Sequence, residues 1–376
     1  MGARHPGRGP VPVDADKNGL GSLGSLVQER ALQGCYPGAV FAVARGSRVL
    51  ELSAVGIANI DTKASMRTDS IFRQMSSTKP ITAALAMMLV EEGKLKLDAP
   101  VSATLSEFAT FGVPGGPPLT LRHLLTHTSG IGFGSIPTTP TTLAERARNI
   151  ATRSVTARAG KDWAYSGYDG PDVVARMVEV AAGEPFDRFA KRRLFDPLGM
   201  KDTTWALTPA QEQRLVGLYA AKNGSVAHTA ALLPPTLYPS GGAGLCSTVP
   251  DYLRFVQMLA GNGTLDRVRV LSSASVEEMR RKQLPAGFPG LPPGNAAGLL
   301  MRYVDDPTAA KSPLPAGAYG WSGAYGTHFW IDPTTGLAAV WMINLTTAGG
   351  AGSPDALEFE QMVTRACQAD SRCGTR

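Results

Sequence analysis

Apolar positions recur along this chain with two periods, and the period changes from one segment to the next. Residues 20–32 carry them at helical spacing, and the runs 38–44 (GAVFAVA) and 49–55 (VLELSAV) read as two strands joined through Arg45-Gly46-Ser47. Residues 76–92 predict a helix with Pro80 in its first turn, where a missing backbone N–H is tolerated. Residues 119–126 (LTLRHLLT) predict another, stopped at Ser129-Gly130. Amphipathic helices are expected over 172–182, ending at Gly183, and over 251–259, followed by Gly261. Strands then return at 326–331 (GTHFWI) and 337–343 (LAAVWMI) around the turn Asp332-Pro333-Thr334-Thr335-Gly336, before a last helix over 356–366. Strands at both ends with helices and loops between them predict one sheet built from the two termini and a long, mostly helical insertion.

Composition narrows the class. A chain of 376 residues with 43% hydrophobic and 18% charged residues buries a sizeable core. The net charge of +6 and pI near 9.2 raise nucleic acid as a partner. The charge is dispersed, however, and its densest clusters, Lys191-Arg192-Arg193 and Arg280-Arg281-Lys282, are short, so a solvated basic surface is the expectation. The longest apolar run, 81–90 (ITAALAMMLV), is about half of what a bilayer requires, so membrane insertion is not expected. Residues 1–20 show no apolar stretch after their basic residues and read as a disordered lead without a secretory signal, which points to a cytoplasmic protein. The four cysteines are scattered, and four reduced thiols are the expectation, with Cys367 and Cys373 near enough in sequence to bridge.

The first chemical candidate is Ser76-Ser77-Thr78-Lys79. Three residues make nearly one helical turn, so the Ser76 hydroxyl and the Lys79 amine face the same way. A serine hydroxyl needs a neighbour to take its proton, and a lysine does so only when neutral, a state that burial against the apolar 81–90 segment favours. Alone, the spacing is equally that of a helix-capping serine and an exposed lysine. His123 and His127 have the spacing of a helical zinc pair, but Leu124 stands where a glutamate base would follow, and His5, His228 and His328 supply no third ligand. Gly241-Gly242-Ala243-Gly244 lacks the Lys-Ser/Thr ending of a phosphate loop. No metal or organic cofactor is expected.

Four segments, in order, carry a resemblance to a known family. Residues 72–81 (FRQMSSTKPI) resemble the active-site segment of family VIII carboxylesterases and class C β-lactamase-like proteins, the penicillin-binding-protein type of serine hydrolase. Residues 121–130 (LRHLLTHTSG), 186–202 (FDRFAKRRLFDPLGMKD) and 240–251 (SGGAGLCSTVPD) resemble its further signatures, and the likeness spans about residues 30–365. The resemblance implies a serine β-lactamase-like α+β fold: an antiparallel sheet flanked by helices, formed by residues 21–75 and 310–370. A mostly helical region, 76–309, is inserted, with the Ser76 helix at the interface. It also implies Tyr165 as proton-transfer partner of Ser76 and Lys79, with Tyr168 as fallback, and an oxyanion hole from the backbone N–H groups of Ser76 and Ala324. Trp321, Ser322, Gly323, His328 and Gly167 become candidate substrate-binding residues, with packing as the other role for His328. Trp321-Ser322-Gly323 stands where β-lactamases and peptidases carry Lys-Thr-Gly, and Gly167 stands where an amide-holding asparagine is frequent. Both departures favour short- to medium-chain esters over carboxylate-bearing or amide substrates, with a small-molecule ester as the partner. The same site suits a β-lactamase or DD-peptidase, a D-amide amidase or an acyltransferase. A non-catalytic scaffold of this fold is the alternative from another class.

Overall fold

The computed structural model describes residues 19–155, 157–222, 225–230, 238–350 and 352–373. The expected lead therefore lies, up to residue 18, outside the described residues.

Eight strands make one antiparallel sheet: β1 (Gly38–Arg45), β2 (Arg48–Asn59), β3 (Ala64–Ser65), β4 (Asn295–Ala297), β5 (Arg302–Val304), β6 (Tyr319–Gly323), β7 (Thr327–Asp332) and β8 (Leu337–Ile343). Their spatial order is β4-β5-β6-β7-β8-β1-β2-β3. The first and last long strands are neighbours, from Ala39 opposite Ile343 to Arg45 opposite Leu337, so the two ends of the chain close the sheet. Sheet pairing begins at Asn295, earlier than the boundary at 309/310 drawn from the sequence. The two extra strands have three residues each, too few for an alternation to register. β2 runs past the expected 49–55 to Asn59 because Gly56, at φ 75°, lets it pass Pro37, whose carbonyl oxygen would lie 2.4 Å from a Cβ there.

Alternation along β1 explains why GAVFAVA is apolar throughout. Val40, Ala42 and Ala44 enter one core, with Phe329, Val340 and Met342. Ala39, Phe41 and Val43 enter the other, with Val27 of the first helix (Leu23–Leu32), Trp341, and Phe359 and Val363 of the last helix (Pro354–Gln368). A strand covered on both faces has no polar side. The helix Thr78–Glu91 is buried from Thr78 to Leu89, which is why its sequence lacks an amphipathic stripe. It forms the centre of the larger core, and its N-terminus meets the end of β6. The expected helix over 119–126 shortens to Leu121–Leu125, capped by Thr120. That over 172–182 begins earlier, as Asp169–Ala182. Leu143–Ala151, opened by a capping box from Thr142 and Glu145, and Ser273–Arg280 are helices that the periodicity reading passed over.

Cys367 and Cys373 form a disulfide, in place of the expected reduced thiols, while Cys35 and Cys246 are not disulfide-bonded. Six residues of separation at the end of a helix bring the two together where sequence spacing alone left the pairing open. Among the described residues, no helix is long and apolar enough to cross a membrane.

Phe359 stacks on Trp341 at 4.8 Å between ring centroids, contacts Phe41 at 5.9 Å, and is 1% exposed. Phe359→Ala is expected to cost about 3–5 kcal/mol, measured by urea unfolding; a loss below about 1 kcal/mol would show that this layer does not anchor the last helix to the sheet.

Candidate active site

Ser76 lies in the single 3-10 turn Met75–Ser77 that leads into the buried helix. Met75, just before it, has φ 47°, a left-handed conformation that a methionine adopts only under constraint from its surroundings. The constraint is visible. Gln74 donates its backbone N–H to the Leu245 carbonyl (2.8 Å), and its own carbonyl accepts from Thr327 Oγ1 (2.9 Å). Thr327 Oγ1 also shares a hydrogen bond with Ser77 Oγ at 3.0 Å. A Cβ at Gly323 would lie 2.2 Å from the Gln74 carbonyl oxygen, so the glycine is what permits the end of β6 to dock against the Ser76 turn. Ala324 follows in the turn after β6.

Lys79 is fully buried, at 0% exposure. Its Nζ lies 3.1 Å from Ser76 Oγ and donates to the backbone carbonyls of Gly167 (2.7 Å) and Gly242 (2.9 Å). No carboxylate is among these partners. Burial lowers its pKa to about 7, and the charge of Asp172 opposes that shift in part. Nζ thus has three hydrogen-bond partners, two carbonyls and the Ser76 hydroxyl. As the neutral amine it would give its two N–H groups to the carbonyls and turn its lone pair to Ser76.

The Gly242 carbonyl is itself held in place. Asp172, on the helix Asp169–Ala182, accepts from Gly241 N (2.9 Å), Ser240 Oγ (2.6 Å) and Tyr238 Oη (2.6 Å). Thr82, on the Ser76 helix, donates to the Gly241 carbonyl at 2.7 Å. A Cβ at Gly241 would stand 2.3 Å from the Pro171 carbonyl oxygen, and one at Gly242 2.6 Å from that of Gly167, so only paired glycines bring this loop down onto the lysine.

Tyr165 donates from its hydroxyl to Ser76 Oγ at 2.7 Å. The HTSG turn holds it there: Ala164 N–H donates to the His127 carbonyl (2.8 Å), and Ser166 N–H to His127 Nδ1 (3.1 Å). His127, itself at φ 58°, is buried, and desolvation takes its pKa well below the usual value, with Lys79 acting in the same direction. The tyrosine ring sits among His127 (4.8 Å between centroids), Trp321 (5.9 Å), Phe133 (5.9 Å) and Trp163 (6.2 Å). Burial pushes its pKa up to about 12, while the bond to Ser76 and the neighbouring Trp321 side chain lower it in part. The Trp321 indole N–H is buried without a partner of hydrogen-bond geometry. Tyr168, the fallback, packs on Phe133 at 5.7 Å, and no hydrogen bond joins it to Ser76.

Three of the residues expected to contact substrate stand elsewhere in the architecture. Ser322 follows Trp321 on β6 and so points to the opposite sheet face. There its Oγ and His328 Nδ1 lie 2.7 Å apart, and His328 Nε2 faces buried Glu360 of the last helix at 3.1 Å. These two residues link the sheet to that helix rather than line the space over Ser76. Gly167 acts through its carbonyl on Lys79. The Phe133 ring, itself largely exposed, packs over the position, 2.7 Å from where a Cβ would stand, so a side chain there would displace that ring. Trp321 alone of the set packs its side chain on Tyr165. His123 completes the cap at Thr120, with its backbone N–H donating to Thr120 Oγ1 and its Nδ1 accepting from Thr120 N–H, both at 3.3 Å. The sequence reading missed the Gly242 carbonyl, Asp172 and Phe133. The glycine pair in the 240–251 segment was the one available signal for the first.

Comparison with known proteins places the chain in a family. The profile of the family described as Beta-lactamase matches residues 23–360. Esterase EstB of Burkholderia gladioli is 33% identical, over 91% of this chain and 95% of its own. The D-alanyl-D-alanine-carboxypeptidase/endopeptidase AmpH of Escherichia coli K12 is 27% identical, over 72% of this chain and 70% of its own. Among solved structures, EstCE1, described as a hydrolase with promiscuous acyltransferase activity, superposes with a TM-score of 0.82 at 26% identity, covering 92% of this chain and 98% of its own. A chain matched over nearly its whole length by this family, with an esterase among its relatives, belongs to the Beta-lactamase family and is a serine hydrolase.

Proposed function

We propose that this enzyme is a carboxylesterase that cleaves short- to medium-chain esters through an acyl-enzyme on Ser76, with Lys79 as base and Tyr165 as acid. One observation carries the reading: Ser76 Oγ lies 3.1 Å from a buried amine that has two carbonyls and no carboxylate as its other partners, and 2.7 Å from a phenol. The pKa directions support these roles. With Lys79 at about 7 and Tyr165 at about 12, the amine is substantially neutral and the phenol protonated near pH 7–8, so the lysine is the base and the tyrosine the acid.

In the first step Ser76 Oγ attacks the ester carbonyl carbon while its proton passes to Lys79 Nζ. The carbonyl oxygen takes the negative charge and meets the backbone N–H groups of Ser76 and Ala324. Collapse of the tetrahedral intermediate breaks the bond to the alkoxy oxygen, which takes a proton from Tyr165. The protonated Lys79 restores the phenol. Water then repeats the sequence on the acyl-enzyme, and Ser76 is released as the hydroxyl. An alcohol in place of water gives transesterification, in line with the acyltransferase activity described for EstCE1. Trp321, where a lysine would hold a substrate carboxylate, and Gly167, which has no amide side chain, speak for esters over β-lactams and peptides.

Two measurements test this. p-Nitrophenyl butyrate should be turned over by the wild-type protein, and Ser76→Ala should lose at least about 10³-fold in kcat; full activity in that variant would remove Ser76 from the mechanism. The pH profile of kcat/KM should rise through a limb near 7, because the free enzyme reacts only with Lys79 neutral and protonation below its lowered pKa removes the base. A profile flat from pH 5 to 9 would exclude Lys79 as the titrating base.

A further inference from the structure

A cavity of about 390 Å³ adjoins the ring shell of Tyr165, without Ser76, Lys79 or Tyr165 itself in its wall. Its wall includes His127, Trp163 and Trp321, three of the rings packed around Tyr165. Leu291, Met301 and Ala310 extend it away from the site with further small apolar residues. Arg302, which also borders it, is turned to buried Glu360 at 3.6 Å, and Lys311 is solvent-exposed. The surface offered is apolar and aromatic, and its size is that of a small-molecule site.

Which half of an ester belongs there follows from proton delivery. The group that protonates the departing oxygen marks the side on which the alcohol leaves, and that group is Tyr165. The oxyanion lies instead toward the backbone at Ser76 and Ala324. A cavity walled by the neighbours of Tyr165 is thus placed for the carbon skeleton attached to the departing oxygen. We propose that this cavity is the alcohol pocket, and that the enzyme prefers esters of bulky, uncharged, apolar or aromatic alcohols over esters of small ones. The inference rests on the assignment of Ser76 as nucleophile and Tyr165 as acid. Bulk on the acyl side gains nothing from this cavity. In acyl transfer, the same pocket selects the acceptor alcohol.

The test uses three esters, with wild-type protein and Ala310→Trp, a substitution at a residue that lines the cavity, on the short surface helix Pro307–Ala310, meant to occupy part of it. Methyl butyrate is the reference, 2-naphthylmethyl butyrate carries the bulk on the alcohol, and methyl 4-(2-naphthyl)butanoate carries it on the acyl group. Wild type should favour 2-naphthylmethyl butyrate over methyl butyrate by about tenfold or more in kcat/KM, and Ala310→Trp should lower that ratio about tenfold. The ratio of the acyl-bulky ester to methyl butyrate should be retained. No gain from the bulky alcohol in wild type, or a substitution that lowers both ratios alike or neither, overturns the pocket assignment. If none of the esters is hydrolysed, it is the esterase reading that fails. The pocket is then judged by calorimetric binding of 2-naphthylmethanol: binding that Ala310→Trp abolishes upholds it, and absence of binding to the wild-type protein overturns it.

Discussion

The site depends on one buried amine. Lys79 has no exposed surface, and its hydrogen-bond partners are two peptide carbonyls and the Ser76 hydroxyl, with no carboxylate among them. Carbonyl dipoles offset only part of the cost of removing an ammonium from water, so the neutral form is favoured in a way that a carboxylate partner would reverse. The Gly241-Gly242 pair lies where it does because a Cβ at either would meet a neighbouring carbonyl, that of Pro171 or of Gly167. Asp172 stabilises that pair from below, through Gly241, Ser240 and Tyr238, while remaining out of hydrogen-bond contact with the lysine.

The nucleophile turn is fixed with the same economy. Met75 takes a left-handed conformation, Thr327 bonds the Gln74 carbonyl, and Gly323 lets the end of β6 dock against that carbonyl. Tyr165 is delivered by a separate device, the HTSG turn, whose histidine accepts the Ser166 N–H and packs against the phenol ring. Two segments far apart in sequence thus meet on the Ser76 oxygen, each held by hydrogen bonds to backbone groups rather than by surface ion pairs. Hydrogen bonds of this kind are little screened by salt, which suits a site that must keep its geometry through two proton transfers.

The sequence was informative where side chains carry the signal. The Ser76–Lys79 spacing follows from helix geometry, and the strand pairs at the two ends follow from alternation. Tyr165 came from the resemblance rather than from any periodicity. The carbonyls of Gly167 and Gly242 were not legible, because a backbone acceptor has no residue type of its own. The strands Asn295–Ala297 and Arg302–Val304 were too short to show a period. Ser322 is a different kind of miss. With Trp321 facing Tyr165, strand parity already sends Ser322 to the other face, where it meets His328 and, through it, Glu360. Gly167 was read as the loss of a substrate-binding amide, whereas Phe133 fills the space beside it and its carbonyl serves the lysine.

The central claim is that Lys79 works as a neutral amine at ordinary pH. The most direct test is an NMR titration of the protein with ¹³C-labelled lysines, following the Lys79 Cε resonance, assigned by its loss in Lys79→Arg. Burial against two carbonyls predicts that this one lysine titrates near 7 while surface lysines titrate at ordinary values. A Lys79 resonance that stays in the protonated position up to pH 10 would contradict the account.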